Sequence, residues 1–220
     1  MSDAVETFEV NGYTVEIKRD EGYESPREWS NVGIMACFHR RYDLGDDKYT
    51  AAKRLRDGAS SKYVRVGGEQ YEIGDVVSDP HLFREWIESG PKEVALAIPL
   101  YLYDHSCLAL SAYRPSPYWQ HAAWDSGLVG WVFVTRAILA EEKGIKRLTK
   151  NALARVEKAL LAEVKEYGQY LSGNVYGYTI TDQDGEEVDR LWGLYGYDYA
   201  VEEATAAAER LEPIKEEEVA

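Results

Sequence analysis

Four short stretches concentrate the side chains that could do chemistry: Cys37-Phe38-His39-Arg40-Arg41-Tyr42, Leu102-Tyr103-Asp104-His105-Ser106, Trp124-Asp125-Ser126-Gly127, and the segment from Leu191 to Asp198. They set imidazoles, guanidiniums, carboxylates and large rings on or beside runs that read as strands, where packing alone favours plain aliphatics. Such a concentration points to a site. As a reaction centre, His39, His105, Asp104 and Asp125 supply acid–base and ligand groups, and Arg40 could hold an anion. That set would suit metal-assisted hydrolysis of a nucleotide or phosphate ester, with His39, His105 and Asp125 as the candidate metal ligands and Cys37 or His121 as further ligand types. The spacing does not support it locally, since there is no Cys-x-x-Cys and no His-Glu-x-x-His.

Asp104-His105-Ser106 contains the letters of a hydrolase triad, but neighbours on a strand point to opposite faces, so three contiguous residues cannot build one. No Gly-x-Ser-x-Gly elbow accompanies them. Asp182-Gln183-Asp184-Gly185 resembles part of a calcium loop, yet its glycine is misplaced and strand signals flank it, so it reads as a hairpin turn.

As a binding surface the same stretches fit better. Arg40, Arg41, Tyr42, Tyr103, Trp124, Trp192 and Tyr195 are of the types that dominate interface energetics. A guanidinium is a planar fork that pairs with carboxylates and stacks on rings. Seventeen Tyr and six Trp against four Phe mean that ring burial comes mainly from side chains with a polar tip, which suits wet interfaces. Binding is therefore favoured over catalysis, and no cofactor is expected.

The elements that must position these groups follow from periodicity. Asn11-Gly12 between alternating runs is a type I′ hairpin signal. Val32 to Phe38 is a nearly continuous apolar run that reads as a central strand leading into His39. Lys48 to Arg65 is a basic island (Lys48, Lys53, Arg54, Arg56, Lys62 and Arg65 against Asp57) that reads as a helical turn and a short hairpin inserted at an edge, over 48–78. It is either a solvated face or a small anionic-ligand site. Asp79-Pro80 opens a short helix that Ser89-Gly90-Pro91 closes. Glu93 to Asp104, Cys107 to Ala112 and Leu128 to Thr135 read as strands, and Thr135 caps a further short helix. From Thr149 to Leu171, Leu153, Val156, Leu160, Val164, Tyr167 and Leu171 recur at spacings of three and four, the stripe of an amphipathic helix. Val175 to Thr181 and Glu186 to Trp192 form a last hairpin before a helix over Tyr199 to Leu211. The expected class is α+β, a mainly antiparallel sheet with helices packed on one face.

At 220 residues, with 45% hydrophobic and 29% charged, the chain has the composition of one globular domain with a sizeable core, expected over 1–212. The segment 213–220 reads as an acidic disordered tail beyond Pro213. Two cysteines do not make a disulfide scaffold. The N-terminus has no signal-peptide pattern and no apolar run reaches membrane-spanning length, so a cytoplasmic protein without membrane contact is expected. A net charge of −14 argues against direct binding of duplex nucleic acid, whose nonspecific affinity comes from cations displacing condensed counterions. The same acidity could imitate DNA toward a DNA-binding partner.

Several of these stretches also resemble a family of phage and prophage proteins of no established activity. The resemblance rests on Ser25 to Gly33 running into Cys37 to Asp46, on Pro99 to Ser106, on Trp124 to Trp131, on Gly173 to Tyr178 and on Trp192 to Gly196. It omits Tyr49 to Val77 and the acidic tail. It implies a mobile-element setting in a bacterial cytoplasm and, with the binding-type residues, an accessory protein that acts on a host or phage protein, such as a defence component.

Overall fold

A computed structural model describes residues 4–57, 61–104, 107–113 and 126–214. In chain order the elements are β1 (Ala4–Val10), β2 (Tyr13–Arg19), β3 (Ile34–Cys37), α1 (Lys48–Asp57), β4 (Tyr63–Val66), β5 (Glu69–Glu72), α2 (Ile73–Ser78), α3 (Pro80–Glu88), β6 (Val94–Asp104), β7 (Leu108–Ser111), β8 (Ser126–Thr135), α4 (Arg136–Glu141), α5 (Lys150–Leu171), β9 (Val175–Thr181), β10 (Glu187–Tyr195) and α6 (Tyr197–Glu209). The class is α+β with antiparallel pairing. The strands divide among a four-stranded sheet β1-β2-β9-β10, a four-stranded sheet β3-β8-β6-β7 and the hairpin β4-β5. The chain forms two compact units, Met1–Pro26 with Gln169–Ala220, and Arg27–Gly168.

In the first unit, Asn11 and Gly12 take φ of 56° and 85°, as a type I′ turn requires, and pair Val10 with Tyr13. One face of this sheet buries Val15, Ile17, Tyr178 and Ile180 with Ala200, Ala204, Ala207 and Ala208 of α6. Alanines at helical spacing let the helix backbone come close to the sheet. Gly177 leaves room for another ring: a Cβ there would sit 2.2 Å from the Trp192 indole. The segment after α6 is docked further than the sequence reading expected. Asn11 Nδ2 donates to the carbonyl of Ala208, and the Ile214 amide donates to the carbonyl of Asn11 at 3.0 Å. Pro213 does end the helix, but Ile214 is anchored at the first hairpin turn; residues 215–220 lie outside the described structure.

In the second unit, α5 buries Ala152, Val156, Leu160, Val164 and Tyr167. Ala152 occupies the inner position expected for Leu153, which is only half-buried. Phe83 touches Phe38, Trp86, Trp131 and Phe133 at centroid distances of 5.3 to 5.7 Å, making an aromatic centre. The expected helix starts are present: Asp79 Oδ1 accepts from the amides of His81 and Leu82, which holds its carboxyl below the usual range, and Thr135 Oγ1 accepts from Ile138 N. The 48–78 segment is α1, the hairpin β4-β5 and α2, as its punctuation indicated, with α2 an additional helix. β3 lies at the edge of its sheet, not at its centre, and is nevertheless buried at Ile34, Met35 and Ala36. The next loop covers it: Ala36 bridges Gly45, and Asp46 N donates to the carbonyl of Met35. A hydrophobic run can be buried by a returning loop as well as by a second strand, and periodicity does not separate the two.

Candidate functional site

The loop from Phe38 to Asp47 is the positioned part of the candidate surface. At one end Phe38 N donates to the carbonyl of Val129, and at the other the Asp46 amide is fixed by Met35. Gly45 makes the return possible. Its φ is +74°, and a Cβ there would lie 2.4 Å from the Met35 carbonyl oxygen. The Gly45 amide donates to the Tyr167 hydroxyl at 2.8 Å. Asp47 then caps α1, its Oδ1 accepting from Thr50 N at 2.9 Å, and hydrogen bonds from Thr50 hold that carboxyl below its ordinary value.

Beneath the loop sits a buried ion network that the sequence did not single out. Arg27 Nε and Nη2 fork onto the two oxygens of Asp46 at 2.7 and 3.1 Å, Nη1 reaches Glu163 Oε2 at 3.1 Å, and Nη2 also donates to the carbonyl of Gly33 at 2.9 Å. The side chains of Arg27 and Asp46 are each 4% exposed. Burial works against the charge of Arg27, but Asp46 and Glu163 outweigh it and raise its pKa. Both carboxylates also bind backbone: Asp46 takes the Met35 amide, and Glu163 takes those of Val32 and Gly33. Arg54 adds donations to the carbonyls of Asn31, Val32 and Gly33. This cationic group of the basic island is thus spent on the chain that enters β3. Arg27 and Asp46 fall inside the stretches of the family resemblance. Their pairing has no periodic signal, being 19 positions apart, with Glu163 a further 117 along the chain (136 less 19).

At the loop's outer side four of the expected residues meet. Arg41 pairs with Asp104 through Nη2 and Oδ2, and its guanidinium carbon lies 5.4 Å from the Tyr42 ring centre. The Tyr42 hydroxyl donates to Asp104 Oδ1 at 3.4 Å, and the Tyr42 ring stacks on His39 at 4.9 Å and 10°. His39 Nδ1 accepts from the Arg41 amide at 3.3 Å, which leaves Nε2 as the nitrogen facing other partners. The Arg41 side chain is 55% exposed and that of Asp104 is 17% exposed. Beside this cluster is an open cleft of about 520 Å³, lined among others by Phe38, His39, Tyr42, Asp43, Asp47 and Lys48.

The other expected residues go elsewhere. Arg40 is exposed, and the carboxylate partner belongs to its neighbour Arg41. Tyr103 is half-buried in β6. Trp192 and Tyr195 lie on β10 in the first unit. Trp192 is 42% exposed above Gly177, whereas Tyr195 is buried and its hydroxyl donates to the carbonyl of Glu24 at 2.6 Å, a packing role in place of the expected binding one. His105, Ser106, His121, Trp124 and Asp125 lie outside the described residues. Among the described residues no three His, Cys, Asp or Glu side chains converge as a metal site. Burial and the Asp46 carboxylate push the Cys37 thiol up to about 12, which makes it a weak nucleophile at neutral pH. Asp182 Oδ1 accepts from the amides of Asp184 and Glu186, and Gly185 takes φ of +82°, so this segment is the expected turn. No helix among the described residues is long and apolar enough to cross a membrane.

Comparisons with protein-family models, with curated proteins and with solved structures gave no match to the chain.

Proposed function

We propose that this chain is a non-enzymatic binding protein of phage or prophage origin, acting in the bacterial cytoplasm on a host or phage protein, a defence component being the natural target. The observation that carries the reading is the Arg41-Tyr42-Asp104 cluster, with His39 stacked behind Tyr42, on a loop whose base is locked by the Arg27 network. A rigid base lowers the ordering cost of association, and an exposed Arg stacked on Tyr is a group from which interface energy is drawn. The buried polar groups beneath it are saturated with structural hydrogen bonds, so the chemistry left for a partner is recognition. The setting comes from the sequence resemblance.

The test is capture from lysates of infected and uninfected bacteria on immobilised protein, followed by mass spectrometry and by titration of the captured partner. Arg41→Glu with Tyr42→Ala should abolish binding of that partner while leaving the unfolding midpoint near the parent value. A partner held equally well by the double variant would overturn the assignment of the surface. Stoichiometric metal in the purified protein, with phosphodiesterase activity lost in His39→Ala, would replace binding with hydrolysis.

A further inference from the structure

Helix α1 carries a second surface that the loop does not use. Its inner face buries Ala51 and Leu55, and Arg54 is turned onto the carbonyls of Asn31 to Gly33. On the outer face Tyr49, Lys53 and Arg56 follow at steps of four and three, which brings them into one stripe about 10 Å long. Lys53 and Arg56 are exposed, and Tyr49 is 73% exposed. Among the described residues Lys53 and Arg56 have no ion-pair or hydrogen-bond partner. A cation in the last turn complements the helix dipole, and that alone accounts for Arg56. It does not account for Lys53 in mid-helix, nor for an open tyrosine ring one turn before two unpaired cations in a chain with 39 acidic residues.

We infer that the Tyr49-Lys53-Arg56 face of α1 docks a short acidic peptide segment of a partner protein. The charge is complementary only over a short reach. Fields are screened within about 8 Å at physiological salt, so an occupant of this length meets the two cations and the ring. A duplex carries a phosphate charge every ~1.7 Å along a rod and would be repelled by a chain whose net charge is −14. The ring supplies contact area for an apolar or aromatic side chain beside the acids.

The probe is a fluorescent decapeptide of Glu and Asp around one Trp, with its Gln and Asn counterpart as the neutral comparison, titrated by anisotropy against the full chain. The acidic peptide should bind and the neutral one should not, and affinity should weaken by about tenfold between low and physiological salt. Lys53→Glu with Arg56→Glu should weaken binding by more than about tenfold. Lys158→Glu with Lys165→Glu, two exposed positions on α5, makes the same change in net charge and should alter it by less than about twofold. Tyr49→Ala should weaken binding while leaving its salt dependence unchanged. Lys53→Gln with Arg56→Gln repeats the test should the reversed pair misfold. Equal losses in the α1 and α5 variants, or no binding of the acidic peptide, would overturn the inference. So would a duplex oligonucleotide that binds as tightly, or self-association of the chain abolished by the α1 variant, which would give the face to a second copy.

Discussion

Arg27 and Arg41 stand at opposite ends of one loop's architecture, and both are paired with carboxylates. The first is sealed beneath the loop, with four donations to Asp46, Glu163 and Gly33. The second stands in solvent with one carboxylate and a tyrosine ring. The chemistry is the same and burial divides the roles. A guanidinium out of water must keep every partner, because an orphaned charge there costs several kcal/mol, whereas an exposed pair is screened and can be exchanged for a partner's group.

That contrast is most exposed to test at the buried end. Arg27→Ala should lower the unfolding free energy by about 3–5 kcal/mol, since it strands two buried carboxylates, and Arg27→Lys should restore only part of it because one ammonium cannot fork onto both. Denaturant titration measures both. A loss under about 1 kcal/mol would mean that water reaches the network and that the two arginines do not differ in kind.

Cys37, half-buried and lining the cleft, senses the same Asp46 carboxylate. With Cys107→Ser removing the exposed thiol, alkylation of Cys37 at pH 8 should run about a thousandfold slower in the native chain than in the unfolded one, from the thiolate fraction alone. The pH dependence has a definite sign. The folded value lies above the unfolded one, so this thiol's contribution is whole below about 9 and declines as pH rises toward about 12. Cys37→Ser should flatten that decline relative to the parent, and an unchanged slope would mean that this thiol ionises alike in the folded and unfolded chains.

The connection between the two ends is Gly45. Gly45→Ala forces a Cβ toward the Met35 carbonyl at positive φ and should cost roughly 1–3 kcal/mol while also weakening partner capture. A stable variant with full binding would separate the loop's conformation from its use. Smallest of all, Arg41→Ala should change stability by less than about 1 kcal/mol, and addition of salt should shrink even that difference.

How far the sequence foretold this follows the range of the interactions. Asn11-Gly12, Asp79-Pro80 and Thr135 act within a few residues, and the turn and helix starts they encode are where the pattern placed them. The stripe of α5 was legible as a period, although Ala152 and Leu153 exchange places because period alone does not weigh a small side chain against a large one at close approach. The division of the strands between two larger sheets depends on partner choice across long separations, and no local signal carries it. At the site, the stretch from His39 to Tyr42 and Asp104 was picked out by residue type, and the structure joins them. The carboxylate pairs with Arg41, while Arg40, its neighbour in the bend, is exposed. Arg27 escaped notice because a lone arginine after a proline looks like a solvated loop residue, and only Asp46 and Glu163, folded in from afar, make it a keystone.

The edge of the first sheet has a consequence for the behaviour of the protein at high concentration. β10 exposes Val188, Leu191 and Trp192, each a little over two-fifths accessible, and among the described residues it has a strand neighbour on one side only. A flat strand of that composition would template the addition of further strands and seed fibrils. The pairing of β10 slips between Glu187 and Asp189 and again between Leu191 and Leu194, where Gly193 turns at φ of +77° and its amide is taken by Asp20. An incoming chain meets a ladder whose rungs are twice out of step, so the apolar strand is also a poor template for further strands.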